Sequence, residues 1–345
     1  MLYIRFCFQR FVVGGFVTSV FSYFSTVVNM ERVIKVGTFV GQGTLGKESD
    51  FKAKHPSVAA LFEALKISKP TIALPQISTY RASTLLAAHL GVNFDVLLGH
   101  SVGEYSALTA AGIIPSSDIG SRIISIRQDF MDTVSVGKRP AAMVTPLKDS
   151  NDPNDFIPMV EAFADEHEGI SVGLYNSPTW IVLVGSDEAL DAALKRDNLP
   201  FEARRIPLKG PFHSREHYES IAEGGFREAL GKEMKGWRQI TEETPAIYSN
   251  VTGRKYTSQD ELLNNLVRQI YSPVIFFPAI QRIYKSACDI GMQIDFFEIG
   301  PGNRFLEGLI RQTLGTKVGY RVIPINTEEQ ATAYRYDPEA YLASL

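Results

Sequence analysis

Gly99-His100-Ser101-Val102-Gly103 sets a serine between two glycines at G-x-S-x-G spacing. In that arrangement a sharp strand-to-helix turn pushes a hydroxyl clear of the backbone, where it can act as a nucleophile. A serine hydroxyl is weak until a base takes its proton, and imidazole is the side chain whose pKa suits that task near neutrality. His213, within Pro211-Phe212-His213-Ser214, is the base the chain offers. A lone loop histidine is more often structural, so this assignment leans on the elbow upstream. Arg127 follows Ile123 by one helical turn, beside an apolar stripe. It reads either as a snorkelling surface residue or as a pocketed cation clamping a carboxylate through its two-pronged guanidinium. Gly41-Gln42-Gly43-Thr44 is a turn able to deliver a backbone N–H and a side-chain amide to a site, with a plain loop as the competing reading.

These groups need elements to hold them. Phe94 to Leu98 reads as a short apolar strand entering the elbow, and Val102 to Ala111, rich in Ala, Leu, Glu and Tyr without Pro, as the helix leaving it. The helix N-terminus then aims N–H groups and partial positive charge at whatever reacts there. Val33 to Val40 reads as the first strand, and Ser57 to Leu65 and Ser78 to Leu90 as helices. Ser117-Asp118 offers an N-cap for a helix to about Val134, whose Ile119, Ile123, Ile126, Phe130 and Val134 keep helical spacing.

From Ala141 to Ile206 the pattern changes to strand, helix, strand, strand, helix, strand: Ala141–Leu147, Pro158–Glu166, Ile170–Asn176, Trp180–Gly185, Asp187–Lys195 and Glu202–Pro207. That order is the β-α-β-β-α-β ferredoxin-like unit, here an insertion. Beyond it come a strand at Ala246 to Asn250, a helix through Glu261 to Ile270, an apolar strand Ile294 to Ile299 and a further helix after Gly302; from Glu328 the chain reads as a polar tail.

Bulk properties narrow the function. The 345 residues are 45% hydrophobic and 21% charged, ordinary for a soluble globular protein that can bury a substantial core. A net charge of −3 gives no reason to expect nucleic acid. Cys7 and Cys288 make neither a disulfide framework nor a cysteine metal site, and the six histidines are scattered without H-E-x-x-H spacing, so no metal is expected. Residues 1–30 carry Arg5 and Arg10 and no acid before Glu31. Three readings compete there: an organelle presequence, a membrane anchor, or an extension upstream of Met30. The presequence reading implies a mitochondrial protein, with a cytoplasmic one as the alternative; no stable membrane insertion of the mature domain is expected.

With these pieces in place, the chain resembles the malonyl-CoA:acyl-carrier-protein transacylases, the acyltransferases of fatty acid and polyketide synthesis, from about Val33 to Leu314. The landmarks occur in family order: GQG at 41–43, GHSVGEYSAL at 99–108, Arg127 within RQDFM, NSP at 176–178, PFHS at 211–214, VRQIYSPV at 267–274 and EIGPGN at 298–303. The resemblance implies an α/β class, with an α/β-hydrolase-like large domain over 31–138 and 208–327 and the ferredoxin-like small subdomain inserted at 139–207. Residues 1–30 then form a leader or extension and 328–345 a C-terminal tail.

Carried over residue by residue, the resemblance implies Ser101 as nucleophile and His213 as general base and later acid. The Gln269 backbone carbonyl takes the third triad role. The oxyanion hole would be the backbone N–H groups of Gln42 and Val102, and each such donor is typically worth about 10²–10³ in rate. Arg127 would clamp the free carboxylate of a malonyl group, with Gln42, His100, Asn176 and Phe212 lining the site. Phe212 before the histidine matches the malonyl-selective form. The expected substrate is malonyl-CoA, the partner an acyl carrier protein bearing phosphopantetheine, the kinetics ping-pong and the protein a monomer without a cofactor of its own. A buried guanidinium rewards an acyl group that keeps its own carboxylate, since a buried charge deprived of its partner costs on the order of 3–5 kcal/mol.

The chain departs from the family pattern in three places. Val40-Gly41 stands where a proline usually precedes GQG, the segment between GQG and GHSVGE is shorter than usual, and Leu74-Pro75-Gln76 replaces the common T-Q-P element, so Gln76 is left outside the expected site. Two other functions are weighed against transfer. A serine hydrolase on the same scaffold would show an acid partner for His213, and an inactive carrier-binding scaffold is suggested by the shortened segment.

Overall fold

The structure, a computed structural model, describes residues 33–41, 56, 73–134, 140–147, 155–195, 198–206, 208, 210–301 and 304–345. The leader expected over 1–30, the helix expected over 57–65, and Gln42 lie outside these residues. The chain enters on strand β1 (Val33–Phe39), and helix α1 (Ala73–Leu90) starts five residues ahead of its expected Ser78. Pro75 is tolerated in that first turn because the first N–H groups of a helix have no intrahelical acceptor anyway. Strand β2 (Val96–Gly99) leads through the elbow into α2 (Gly103–Ala110). Helix α3 (Ser117–Met131) follows, and the expected Ser117-Asp118 cap is corrected by one residue: the Ser116 hydroxyl accepts from the Ile119 N–H at 3.3 Å. Ser116 has the extended backbone a cap needs.

The middle of the chain runs β3 (Ala141–Pro146), α4 (Phe156–Asp165), β4 (Ile170–Ser177), β5 (Trp180–Gly185), α5 (Asp187–Leu194) and β6 (Phe201–Ile206), in the expected order. Next come α6 (Arg215–Ile221) and α7 (Arg227–Glu233), joined by a π-helical turn, then β7 (Ala246–Tyr248) and α8 (Gln259–Arg268). The two-residue β8 (Val274–Ile275) leads into α9 (Phe276–Asp289), then β9 (Gln293–Ile299), α10 (Phe305–Leu314) and β10 (Tyr320–Ile325).

The polar tail expected from Glu328 is folded. It forms α11 (Glu328–Tyr336) and α12 (Pro338–Ala343), and buries Ala331, Tyr334 and Tyr341 against the main core. Its polar composition hides a narrow apolar seam: Phe297 meets Tyr334 edge-on at 5.2 Å, and Tyr334 meets Tyr341 at 5.8 Å.

Two sheets result. The first is parallel, in the order β10-β9-β1-β2-β7. Its strands are buried on both faces, as parallel sheets require, so Phe39, Leu97, Phe297 and Ile323 lie inside the core. The second runs β6-β3-β5-β4-β8; its first four strands pair antiparallel. The last, β8, comes from outside the inserted stretch and pairs parallel with β4. The Ile275 N–H also reaches the Asn250 carbonyl at 2.7 Å, tying the inserted sheet to the body beside the elbow. No described helix is long and apolar enough to cross a membrane.

Candidate active site

The elbow begins where β2 ends. A side chain on Gly99 would collide with the backbone of Gly103 and Glu104, and one on Gly103 with the carbonyls of Phe39 and Val40. Both glycines are therefore required by close approach rather than by φ. Ser101 between them takes a left-handed φ of +53°. Such a conformation costs on the order of 1–3 kcal/mol and persists only where the surroundings over-determine it. Here they do so through both of its backbone polar groups. The Ser101 N–H donates to Asn250 Oδ1 at 2.8 Å, and its carbonyl accepts from Gln269 Nε2 at 3.2 Å and from the Glu104 N–H at 3.0 Å.

His213 is also left-handed, with φ +69°, and its N–H is held by the Ile270 carbonyl at 3.1 Å. That backbone brings Nε2 to 3.0 Å from Ser101 Oγ and Nδ1 to 2.8 Å from the Gln269 carbonyl oxygen. A carbonyl can only accept, so Nδ1 carries the proton and Nε2 is left as an acceptor for the serine. The ring is buried. Burial, and after it the positive charge of Arg127, pushes its pKa down to about 3, so it rests neutral.

Arg127, on the inner face of α3, is 1% exposed. Between the two readings of this residue, the structure selects the pocketed cation. Its Nη1 donates to Gln76 Oε1 at 3.0 Å, its Nε is buried without a partner, and no carboxylate bonds to it among the described residues. Burial pulls its pKa down, opposed by the nearby Tyr105, Tyr218 and Glu104. Gln76, excluded above on its departure from T-Q-P, is thus a buried partner of the guanidinium. The early start of α1 is what turns it inward.

His100 and Asn176 bond to one another, Nε2 to Oδ1 at 2.8 Å, across the junction of the two sheets. Phe276 and Phe305 wall the His100 ring edge-on, and its burial lowers its pKa. Phe212 is buried and stacked on Tyr218. The Val102 N–H stands at the start of α2 and meets no acceptor among the described residues. Ser101 Oγ, the His213 ring and the Gln269 carbonyl thus form one hydrogen-bonded chain, with the Arg127 charge acting on His213 and the Val102 N–H at the start of the helix that follows the serine.

Glu104, Asn250 and Tyr256 were not anticipated. Glu104 is wholly buried and receives hydrogen bonds from the Asn250 N–H, Asn250 Nδ2, Tyr256 Oη and Gln269 Nε2. The sequence signal was an acid three residues after the nucleophile, on the helix face it shares with Ala107 and Leu108; composition alone reads it as an ordinary helix former. Burial pushes its carboxyl pKa up, against the pull of those four donors.

Residues 45–299 match the family model described as the acyl transferase domain. The malonyl CoA-acyl carrier protein transacylase of Staphylococcus aureus (strain COL) is 28% identical over 240 residues, 69% of this chain and 72% of that protein. Among solved structures, the transacylase of that name from Coxiella burnetii superposes with a TM-score of 0.67 at 21% identity, covering 89% of this chain and 98% of its own. A malonyl-transacylase solved in complex with its type II polyketide synthase acyl-carrier protein gives a TM-score of 0.68 at 23% identity, covering 88% and 99%. At these identities the solved structures share the fold, a mixed α/β architecture.

Proposed function

The chain belongs to the acyl transferase domain family, and we propose that it moves a malonyl group from malonyl-CoA, through an acyl-serine, to the phosphopantetheine thiol of a separate acyl carrier protein. The observation that carries this reading is Arg127: a buried guanidinium, bonded to no carboxylate among the described residues, near enough to the Ser101–His213 pair for its charge to act on the His213 ring. A malonyl thioester brings the missing carboxylate, whereas an acetyl thioester leaves the charge unpaired.

The chemistry follows from the proton positions. Ser101 Oγ attacks the thioester carbonyl while its proton passes to His213 Nε2. The Gln269 carbonyl, accepting from Nδ1–H, stabilises the imidazolium and keeps the ring in its productive tautomer. The Val102 N–H, with that of Gln42 from outside the described residues, receives the oxyanion. His213 then protonates the departing CoA sulfur. In the second half the carrier thiol gives its proton to His213 and attacks the acyl-serine, and the proton returns to Ser101 Oγ. Two half-reactions through one covalent intermediate give ping-pong kinetics. The carboxylate of a bound malonyl group also offsets the Arg127 charge that depresses His213, so substrate binding itself raises the basicity of the base.

The finer architecture belongs to the same proposal: an α/β-hydrolase-like body over 31–138 and 208–327 with a ferredoxin-like insertion at 139–207. The βαββαβ order and antiparallel pairing of β3 to β6 support it. The carbonyl acceptor on His213 Nδ1 favours transfer over the hydrolase alternative, for which an acid was the expected mark. The test is transfer from malonyl-CoA to a holo acyl carrier protein, with acetyl-CoA in parallel. Transfer of malonyl and not acetyl supports the reading; steady CoA release without a carrier overturns it in favour of hydrolysis.

A further inference from the structure

We propose that Glu104 is the positioning residue that orients both the nucleophile and its base, by dictating which way two side-chain amides face. The roles of Ser101 and His213 rest on the function proposed above; the geometry does not. Glu104 Oε1 accepts from the Asn250 N–H at 3.1 Å and from Tyr256 Oη at 2.6 Å, while Oε2 accepts from Asn250 Nδ2 at 2.9 Å and from Gln269 Nε2. A carboxylate has no proton to give, so every group facing it must donate. Two consequences reach Ser101.

Asn250 must turn its NH₂ toward Glu104, which leaves Oδ1 as the acceptor for the Ser101 N–H at 2.8 Å. Gln269 must likewise turn Nε2 inward, where the same nitrogen also donates to the Ser101 carbonyl at 3.2 Å. Gln269 is in addition the residue whose carbonyl holds His213 Nδ1 at 2.8 Å. One carboxylate on α2 thereby fixes an asparagine after β7 and a glutamine at the end of α8, and through them the strained backbone of Ser101 and the acceptor of the histidine. Burying an acid needs donors around it, but it does not need the far ends of those donors aimed at the nucleophile. That convergence marks a positioning device.

The test uses Glu104→Gln in the full chain, which keeps the shape and puts an NH₂ where only an acceptor fits. Two rates are read: formation of the malonyl-enzyme, and labelling of Ser101 by a fluorophosphonate, which carries no malonyl group. Both are expected to fall about 100-fold, the size of effect a misplacement of about 1 Å produces, while KM for malonyl-CoA stays within about twofold. Adding Asn250→Asp reverses the polarity of the bond: the new amide at 104 donates to the new carboxylate, whose other oxygen still accepts from the Ser101 N–H. The double variant is expected to recover about tenfold of the loss in both rates. A wild-type labelling rate in Glu104→Gln overturns the proposal, as does a double variant no faster than the single one. Should Glu104→Gln not fold, Asn250→Ala reads the same link, and wild-type labelling there overturns it equally. Failure of the functional reading looks different: the fluorophosphonate labels wild type normally and malonyl-CoA gives no adduct, and the variants' fluorophosphonate rates then decide this proposal by themselves.

Discussion

His213 leans on the main chain of Gln269, its Nδ1 lying 2.8 Å from that residue's carbonyl oxygen. No side-chain substitution at 269 can delete a backbone acceptor, so the two residues respond differently to mutation. His213→Ala removes the base and is expected to lower malonyl-enzyme formation by about 10³-fold or more. Gln269→Ala keeps the carbonyl and loses only the Nε2 bonds, and about a tenfold loss is expected. Equal losses in rapid-quench kinetics, with both proteins folded, would show that the side chain is the true partner.

Arg127 and Gln76 form one unit, joined at 3.0 Å. Arg127→Ala is expected to reduce kcat/KM for malonyl-CoA by about 10²–10³-fold, as loss of a buried ion pair implies, and to raise the acetyl-to-malonyl ratio. Gln76→Ala leaves the charge but not its aim, and about a tenfold loss is expected. Removing the guanidinium also removes a charge that holds the His213 pKa down. The acid limb of fluorophosphonate labelling therefore moves to higher pH in Arg127→Ala. An unmoved limb and an unchanged acetyl-to-malonyl ratio would contradict the clamp.

The buried neutral histidine also sets a pH dependence of stability. Folded, His213 takes its proton only near pH 3, against an ordinary value of 6.5. Between those values the unfolded chain holds more protons, so the contribution is complete above the ordinary value and is lost as pH falls toward the folded one. One such group gives a slope of up to about 1.4 kcal/mol per pH unit. Urea midpoints taken from about pH 7 down to about pH 4.5 are expected to fall less steeply in His213→Asn than in wild type. Parallel slopes would mean that the folded ring takes its proton at the same pH as the unfolded one, contradicting its burial in the neutral form.

The folded C-terminus yields a simpler expectation. Ending the chain before Glu328 uncovers Phe297 and removes the buried Tyr334 and Tyr341. At about 1.5–3 kcal/mol for each large side chain buried, the truncated protein is expected to lose several kcal/mol or fail to fold. An unchanged urea midpoint would return 328–345 to the status of a tail.

Where local pattern and function coincide, the chain is readable. The elbow at Ser101 and the six elements from Ala141 to Ile206 follow from glycine spacing and alternation, whereas the helical stripe beside Arg127 left its burial open until the structure placed it inside. Gln76 was missed because the position of a glutamine relative to a proline says nothing of which way a helix will turn it; that depends on α1 beginning at Ala73. Glu104 was missed because an acid in a helix is ordinarily solvated, and its four donors come from residues about 150 positions away. The C-terminal helices were missed because their buried tyrosines are too sparse to outweigh the charge around them.

The central claim is tested most directly by intact-mass spectrometry after brief exposure to malonyl-CoA, on wild type, Ser101→Ala and Arg127→Ala. The account predicts an adduct of malonyl mass on wild type, none on Ser101→Ala and a weak one on Arg127→Ala, with the wild-type adduct discharged by a holo acyl carrier protein. A wild-type protein that takes no label and releases no CoA, or a Ser101→Ala variant labelled like wild type, would contradict it.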